Sequence, residues 1–103
     1  MNEVPDKKEI RLRRCLEKHP EEEESYSRLG KHLFLARRYD PAAETYLQGL
    51  RAFPRSQKLL LNLGVVRAAQ GRKEEAGDLF RQVLALDPNN AAAAERLERL
   101  TAF

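Results

Sequence analysis

Proline stands at positions 20, 54 and 88, an interval of 34 residues, and other residue types keep that interval. Leu29 returns as Leu63, Gly30 as Gly64, Ala42 as Ala76, and Tyr46 as Phe80. A period of roughly 20–50 residues marks a chain built from stacked copies of one supersecondary unit. Each copy buries its apolar face only against its neighbours. Within one period the apolar positions fall at helical spacing, as in "LNLGVVRAAQG" from Leu61 to Gly71. A unit of 34 residues has room for two helices and their turns. The expected fold class is therefore all-α. A composition led by leucine, alanine, arginine and glutamate, with 7% aromatic residues and no tryptophan, favours helices over strands.

The repeat also accounts for a residue that an isolated helix would reject. Glycine inside a helix costs about 1 kcal/mol relative to alanine, yet Gly30 and Gly64 sit in mid-helix at equivalent positions. They share a stripe with Leu29, Leu33 and Leu63, which faces the partner helix of the same pair. Ala42 and Ala76 are expected opposite them, with Tyr46 and Phe80 filling the space nearby. Small residues on both sides let two backbones approach, and close packing offsets the lost propensity.

Residues 57–90, "QKLLLNLGVVRAAQGRKEEAGDLFRQVLALDPNN", resemble a tetratricopeptide repeat (TPR). Leu60, Leu63, Gly64, Ala76, Phe80, Val83 and Pro88 stand where that family has its signature residues. Residues 23–56 resemble a second repeat through Tyr26, Leu29, Gly30, Leu33, Ala42, Tyr46 and Pro54. They depart from the pattern at Arg37, where the family often has glycine, and at Gly49, where alanine is usual. In the later repeat Arg67 replaces an aromatic residue. Residues 7–22 stay in phase as an N-terminal half-repeat and residues 91–103 as a C-terminal helix, so 1–103 reads as one domain. The resemblance implies an α-solenoid of antiparallel helix pairs wound as a right-handed superhelix. Six helices are expected, near 7–19, 22–36, 40–52, 57–70, 73–86 and 90–102. Asp40 is expected to cap the third helix ahead of Pro41, Ser56 the fourth, and Asn89 or Asn90 the sixth. The acidic run 21–24 suits a helix N-terminus.

The resemblance further implies a non-catalytic protein–protein interaction module, a scaffold or adaptor, with a concave face built from the first helix of each pair. On that face fall Ser27, Lys31, Phe34 and Leu35, then Lys58, Leu61, Asn62, Val65 and Ala68, then Glu95, Arg96 and Arg99. Phe34, Leu61 and Val65 would form an apolar floor, flanked by Lys31, Lys58, Asn62 and Arg96. An apolar centre with a polar rim suits an extended peptide or a partner helix, and the cations favour an acidic one. By the same resemblance, Asn62 would hydrogen-bond the main chain of the ligand. Chaperone-tail-binding members of the family use a two-carboxylate clamp. Asn62 and Arg96 match it, but Ser27, Lys31 and Ala92 stand where it needs Lys, Asn and Lys, so the clamp is not expected here.

Other chemistry-bearing residues point away from catalysis. The sequence has no nucleophile–base set, no phosphate-cradling glycine loop and no paired-carboxylate signature, so neither an enzyme nor a cofactor is expected. Cys15 and His19, four residues apart, are too few to close a metal site. Cys15 reads as a small core residue and His32 as packing between neighbouring first helices. One cysteine fits a reducing compartment, and without a long apolar run the expected setting is cytoplasmic, away from membranes. Lys7, Arg11, Arg14 and Lys18 make a basic stripe, but the neighbouring acidic run mutes it and no aromatic residues interleave with it. With a net charge of only +3, nucleic acid is not the expected partner. The alternative to groove binding is self-assembly. The first and last helices are complementary halves of a repeat and could pair head-to-tail between molecules through Ile10 and Phe103.

Overall fold

The computed structural model describes residues 4–102. Six helices follow one another, α1 (Lys7–Lys18), α2 (Glu23–Leu35), α3 (Tyr39–Ala52), α4 (Gln57–Ala69), α5 (Lys73–Leu86) and α6 (Ala91–Leu100). There is no strand among the described residues. Turns of three or four residues join the helices, too short for anything but antiparallel neighbours. Each helix packs on the next in sequence, and α2 also touches α4. The first helices of the pairs thus share one side and α3 and α5 the other. Two helix layers, each about 10 Å across, account for the short axis of a body measuring 39 × 32 × 18 Å.

The caps follow the repeat. Asp6, Ser56 and Asn90 each accept a hydrogen bond from the backbone N–H three residues on, of Glu9, Leu59 and Ala93. These bonds satisfy donors that a helix start leaves open. Asp40 does not cap α3. That helix begins at Tyr39, with Arg38 as its N-cap residue, and Asp40 lies in the first turn. Pro41 is tolerated there because the first-turn N–H groups have no partner within the helix. Asp40 instead accepts a hydrogen bond from Gln70 Nε2 at 2.6 Å, which ties the first turn of α3 to the end of α4.

Gly30 and Gly64 each press against the partner helix of the pair, and the nearest group is an aromatic ring rather than alanine. A Cβ on Gly30 would lie 2.4 Å from Tyr46 Cε1, and one on Gly64 would lie 2.5 Å from Phe80 Cε1. The aromatic rings occupy the space a side chain would need. Leu29, Leu33, Leu59, Val66, Phe80 and Val83 are fully buried around these contacts, each worth roughly 1.5–3 kcal/mol. Gly49, the departure from the family's alanine, is equally crowded. A Cβ there would come within 2.8 Å of Tyr26 and 2.9 Å of Leu59 Cδ1.

The turn after α2 differs from that after α4. Arg37 has φ 62° and Gly71 has φ 80°, both in the left-handed region. Arg38 N–H bonds to the Leu33 carbonyl and Arg72 N–H to that of Arg67, so the two turns close alike. A side chain in that region costs roughly 1–2 kcal/mol, which Gly71 avoids and Arg37 does not.

Helix α1 is held by charge as well as by apolar contact. Glu9 is buried; its carboxylate accepts from Arg38 on one oxygen and from Arg13 Nε at 2.8 Å on the other. His32 Nε2 lies 3.1 Å from Asp6, so its partner is the start of α1 rather than a neighbouring first helix. The hydrogen bond from Glu9 N–H chiefly lowers the Asp6 carboxyl below its ordinary value, with His32 adding to it. Leu12 and Leu16 supply the apolar part of this docking. Ile10 is exposed, Cys15 is half-buried rather than sealed in the core, and Phe103 lies outside the described residues.

Candidate functional site

Successive turns of a helix present positions 27, 31 and 34 on one side of α2, and 58, 61, 62 and 65 on one side of α4. Because α2 and α4 lie side by side, these two rows face a common groove of about 740 Å³. Ser27, Lys31, Phe34, Lys58, Leu61, Asn62, Val65 and Arg96 all line it, the last contributed by α6. Phe34, Leu61 and Val65 are half-buried, with faces open to the groove. Ser27 is buried at its floor. A smaller depression of about 180 Å³ continues past Val65 and Arg96 to Ala68, Phe80, Arg99 and Leu100. Ala92 lines neither depression.

Sequence reasoning missed several lining groups. Glu24, Arg28, Gln57 and Asn90 belong to the rim, and the edge of the buried Tyr46 ring reaches the wall. Burial pushes the Tyr46 phenol up to about 12. The register carried a signal for Glu24, since it lies 34 residues before Lys58, and stacked repeats bring equivalent positions together. Lys58 Nζ donates to Glu24 Oε1 at 2.9 Å. That hydrogen bond chiefly holds the Glu24 carboxyl below its ordinary value against desolvation, helped by the charges of Lys58, Arg28 and Lys31. Asn90 Nδ2 donates to Gln57 Oε1 at 3.1 Å and joins the starts of α6 and α4.

The rim cations are therefore not equivalent. Lys58 is committed to Glu24, and Arg99 to Glu95 at 2.7 Å. Lys31 and Arg96 make no hydrogen bond or ion pair among the described residues. Such a surface can bury an apolar group at its centre and offer two uncommitted positive charges beside it. Elsewhere, His19, Glu21 and Glu22, all exposed, bring ligand atoms within 4.8 Å of one another, and Cys15 is not in that group. No helix among the described residues is long and apolar enough to cross a membrane.

Comparison with known proteins agrees with this architecture. Residues 11–56 and 27–91 match a family model described as tetratricopeptide repeat. The chain is 37% identical over 81 residues to a mouse (Mus musculus) FK506-binding protein-like, covering 79% of this chain and 23% of that protein. It is 40% identical over 72 residues to Hsp70-Hsp90 organizing protein 3 of Arabidopsis thaliana, covering 69% of this chain and 12% of that protein. The chain thus spans less than a quarter of either curated relative. Among solved structures, the first TPR of Spaghetti (RPAP3), bound to the HSP90 peptide SRMEEVD, superposes with a TM-score of 0.83. That match has 20% identity and covers 88% of this chain and 72% of the other. The Arabidopsis OM64 TPR domain gives a TM-score of 0.81 at 20% identity, covering 88% of this chain and 75% of that one. At such identities these structures speak for the fold.

Proposed function

The chain belongs to the tetratricopeptide repeat family, and we propose that it is a non-catalytic scaffold or adaptor holding an extended peptide or helix of a partner protein along α2, α4 and α6. The observation that carries this reading is the groove of about 740 Å³, with Phe34, Leu61 and Val65 at its centre. Burial of one or two apolar ligand side chains there supplies the affinity, and Asn62 holds the ligand main chain. Lys31 and Arg96, the uncommitted cations, favour an acidic residue next to the apolar anchor, while Lys58 contributes less because Glu24 neutralises it. The HSP90 peptide bound by the Spaghetti domain is acidic and apolar in the same way. A ligand of this chain does not depend on a terminal carboxylate, since Ser27, Lys31 and Ala92 replace the residues that would grip one. A cytoplasmic setting goes with this reading, supported by the single cysteine.

The test selects ligands from a random peptide display library on the intact chain and measures the recovered peptides by calorimetry. They should pair an apolar residue with an acidic one, and amidating their C-termini should leave affinity unchanged. The variant Leu61→Glu/Val65→Glu should bind at least about tenfold more weakly with its helical circular dichroism intact. Equal binding by that variant would remove the groove from consideration.

A further inference from the structure

A second depression lies away from the groove, between the α2–α3 and α4–α5 turns. Arg37, Arg38 and Arg72 line it with Tyr39, Asp40 and Gln70, around an open volume of about 490 Å³. Three arginines thus line it beside one acidic residue, Asp40. Asp40 is turned toward Gln70, and Gln70 is held in turn by Arg67 Nη1 at 3.0 Å. Arg38 reaches inward to the buried Glu9. Arg72 makes only a 3.4 Å contact with Glu75, where both side chains are exposed. The Arg37 side chain makes no hydrogen bond or ion pair among the described residues.

Arg37 is the informative member. It occupies a left-handed position that the equivalent turn fills with Gly71. Glycine would relax this backbone, and no described residue pairs with the guanidinium that stands there instead. Strained side-chain positions of this kind are kept where the side chain serves an interaction. We propose that the Arg37–Arg72 cleft is a docking surface for a carboxylate-rich segment of a partner protein. Guanidinium groups pair bidentately with carboxylates, and the Tyr39 ring and Pro41 give an extended chain an apolar surface to lie on. An extended chain suits the cleft better than a compact anion, because its lining spreads over both turns from Arg37 to Arg72. This surface stands whether or not the groove of α2 and α4 binds peptide.

The probe is a fluorescein-labelled deca-glutamate peptide, followed by anisotropy at low salt against the intact chain. Arg37→Gly should raise the melting temperature and weaken binding about fivefold, the size of one exposed guanidinium–carboxylate contact. Adding Arg72→Gln should weaken it further, and Arg55→Gln, an exposed arginine in the α3–α4 turn, should leave it unchanged. A stabilised variant that binds less well separates lost recognition from lost folding. Absence of binding at low salt would overturn the proposal, as would unchanged binding by Arg37→Gly/Arg72→Gln or an equal loss in Arg55→Gln. Tighter binding of a single-stranded oligonucleotide, abolished by the same two arginine changes, would overturn the assignment to a peptide.

Discussion

In the earlier helix pair, α2 and α3, the mid-helix glycine of α2 meets a tyrosine ring; in the later pair, α4 and α5, the glycine of α4 meets a phenylalanine ring. The closure is the same, to within 0.1 Å in the distance a Cβ would have from the nearest ring atom, 2.4 against 2.5 Å. What differs is everything turned toward a neighbour. The earlier repeat receives α1 through Glu9–Arg38 and Asp6–His32, while the later one receives α6 through Asn90–Gln57 and the buried Ala93. Its turn uses arginine where the later repeat uses glycine. Positions facing the partner helix are thus fixed by the geometry of the unit. Positions facing other elements, or solvent, are adjusted to what lies there.

Breaking the charged neighbour contact should have the largest effect. Glu9→Ala removes the buried carboxylate that Arg38 and Arg13 share, at an expected cost of about 1.5–3 kcal/mol in urea denaturation. An unchanged midpoint would mean that Leu12 and Leu16 alone hold α1. Next come the closures themselves. Gly64→Leu and Gly30→Leu should each destabilise by about 1–3 kcal/mol through overpacking against the ring opposite. Two very different values would deny that the closures are equivalent.

Exchanging the turns sharpens the comparison further. Arg37→Gly should stabilise by roughly 0.5–1 kcal/mol and Gly71→Arg should destabilise by a similar amount, since only the backbone conformation is at stake. Matching signs in thermal denaturation would contradict the left-handed turn at one of them. A further test concerns the ring that differs. Burial raises the Tyr46 phenol from 10.0 to about 12, so its neutral form is favoured in the folded state. Its contribution is complete below pH 10 and is lost as pH rises through about 12. The stability difference between wild type and Tyr46→Phe should be constant to pH 10, then move against wild type. A difference flat to pH 12 would place the hydroxyl in solvent.

Most of the fold could be read from the sequence because its strongest constraints repeat. The interval of Gly30 and Gly64 located the helix pairs, and Ser56 and Asn90 carry a local cap signal that needs no tertiary partner. Asp40–Pro41 misled because the same residues suit a cap and a first turn, and only the Gln70 contact distinguishes them. Glu9 was hidden, since its register equivalents are Ala43 and Gly77 and nothing near it in sequence foretells Arg38. The groove rows on α2 and α4 follow from the family resemblance together with helical periodicity, and all eight expected residues line one space. The pairing of Lys58 with Glu24, which decides which cations remain uncommitted, depends on side-chain reach between stacked helices. Periodicity alone does not encode that.

The central claim is that the side of α2 and α4 left over from closing the pairs is the side that binds. Amide chemical-shift mapping of the ¹⁵N-labelled chain with a display-selected peptide tests it most directly. The account predicts that the largest shifts fall on Lys31, Phe34, Leu61, Asn62, Val65 and Arg96, with little change at Glu44, Leu47 and Gln48 on α3 or Asp78 and Arg81 on α5. Shifts concentrated on those outer residues of α3 and α5, with the groove silent, would contradict it.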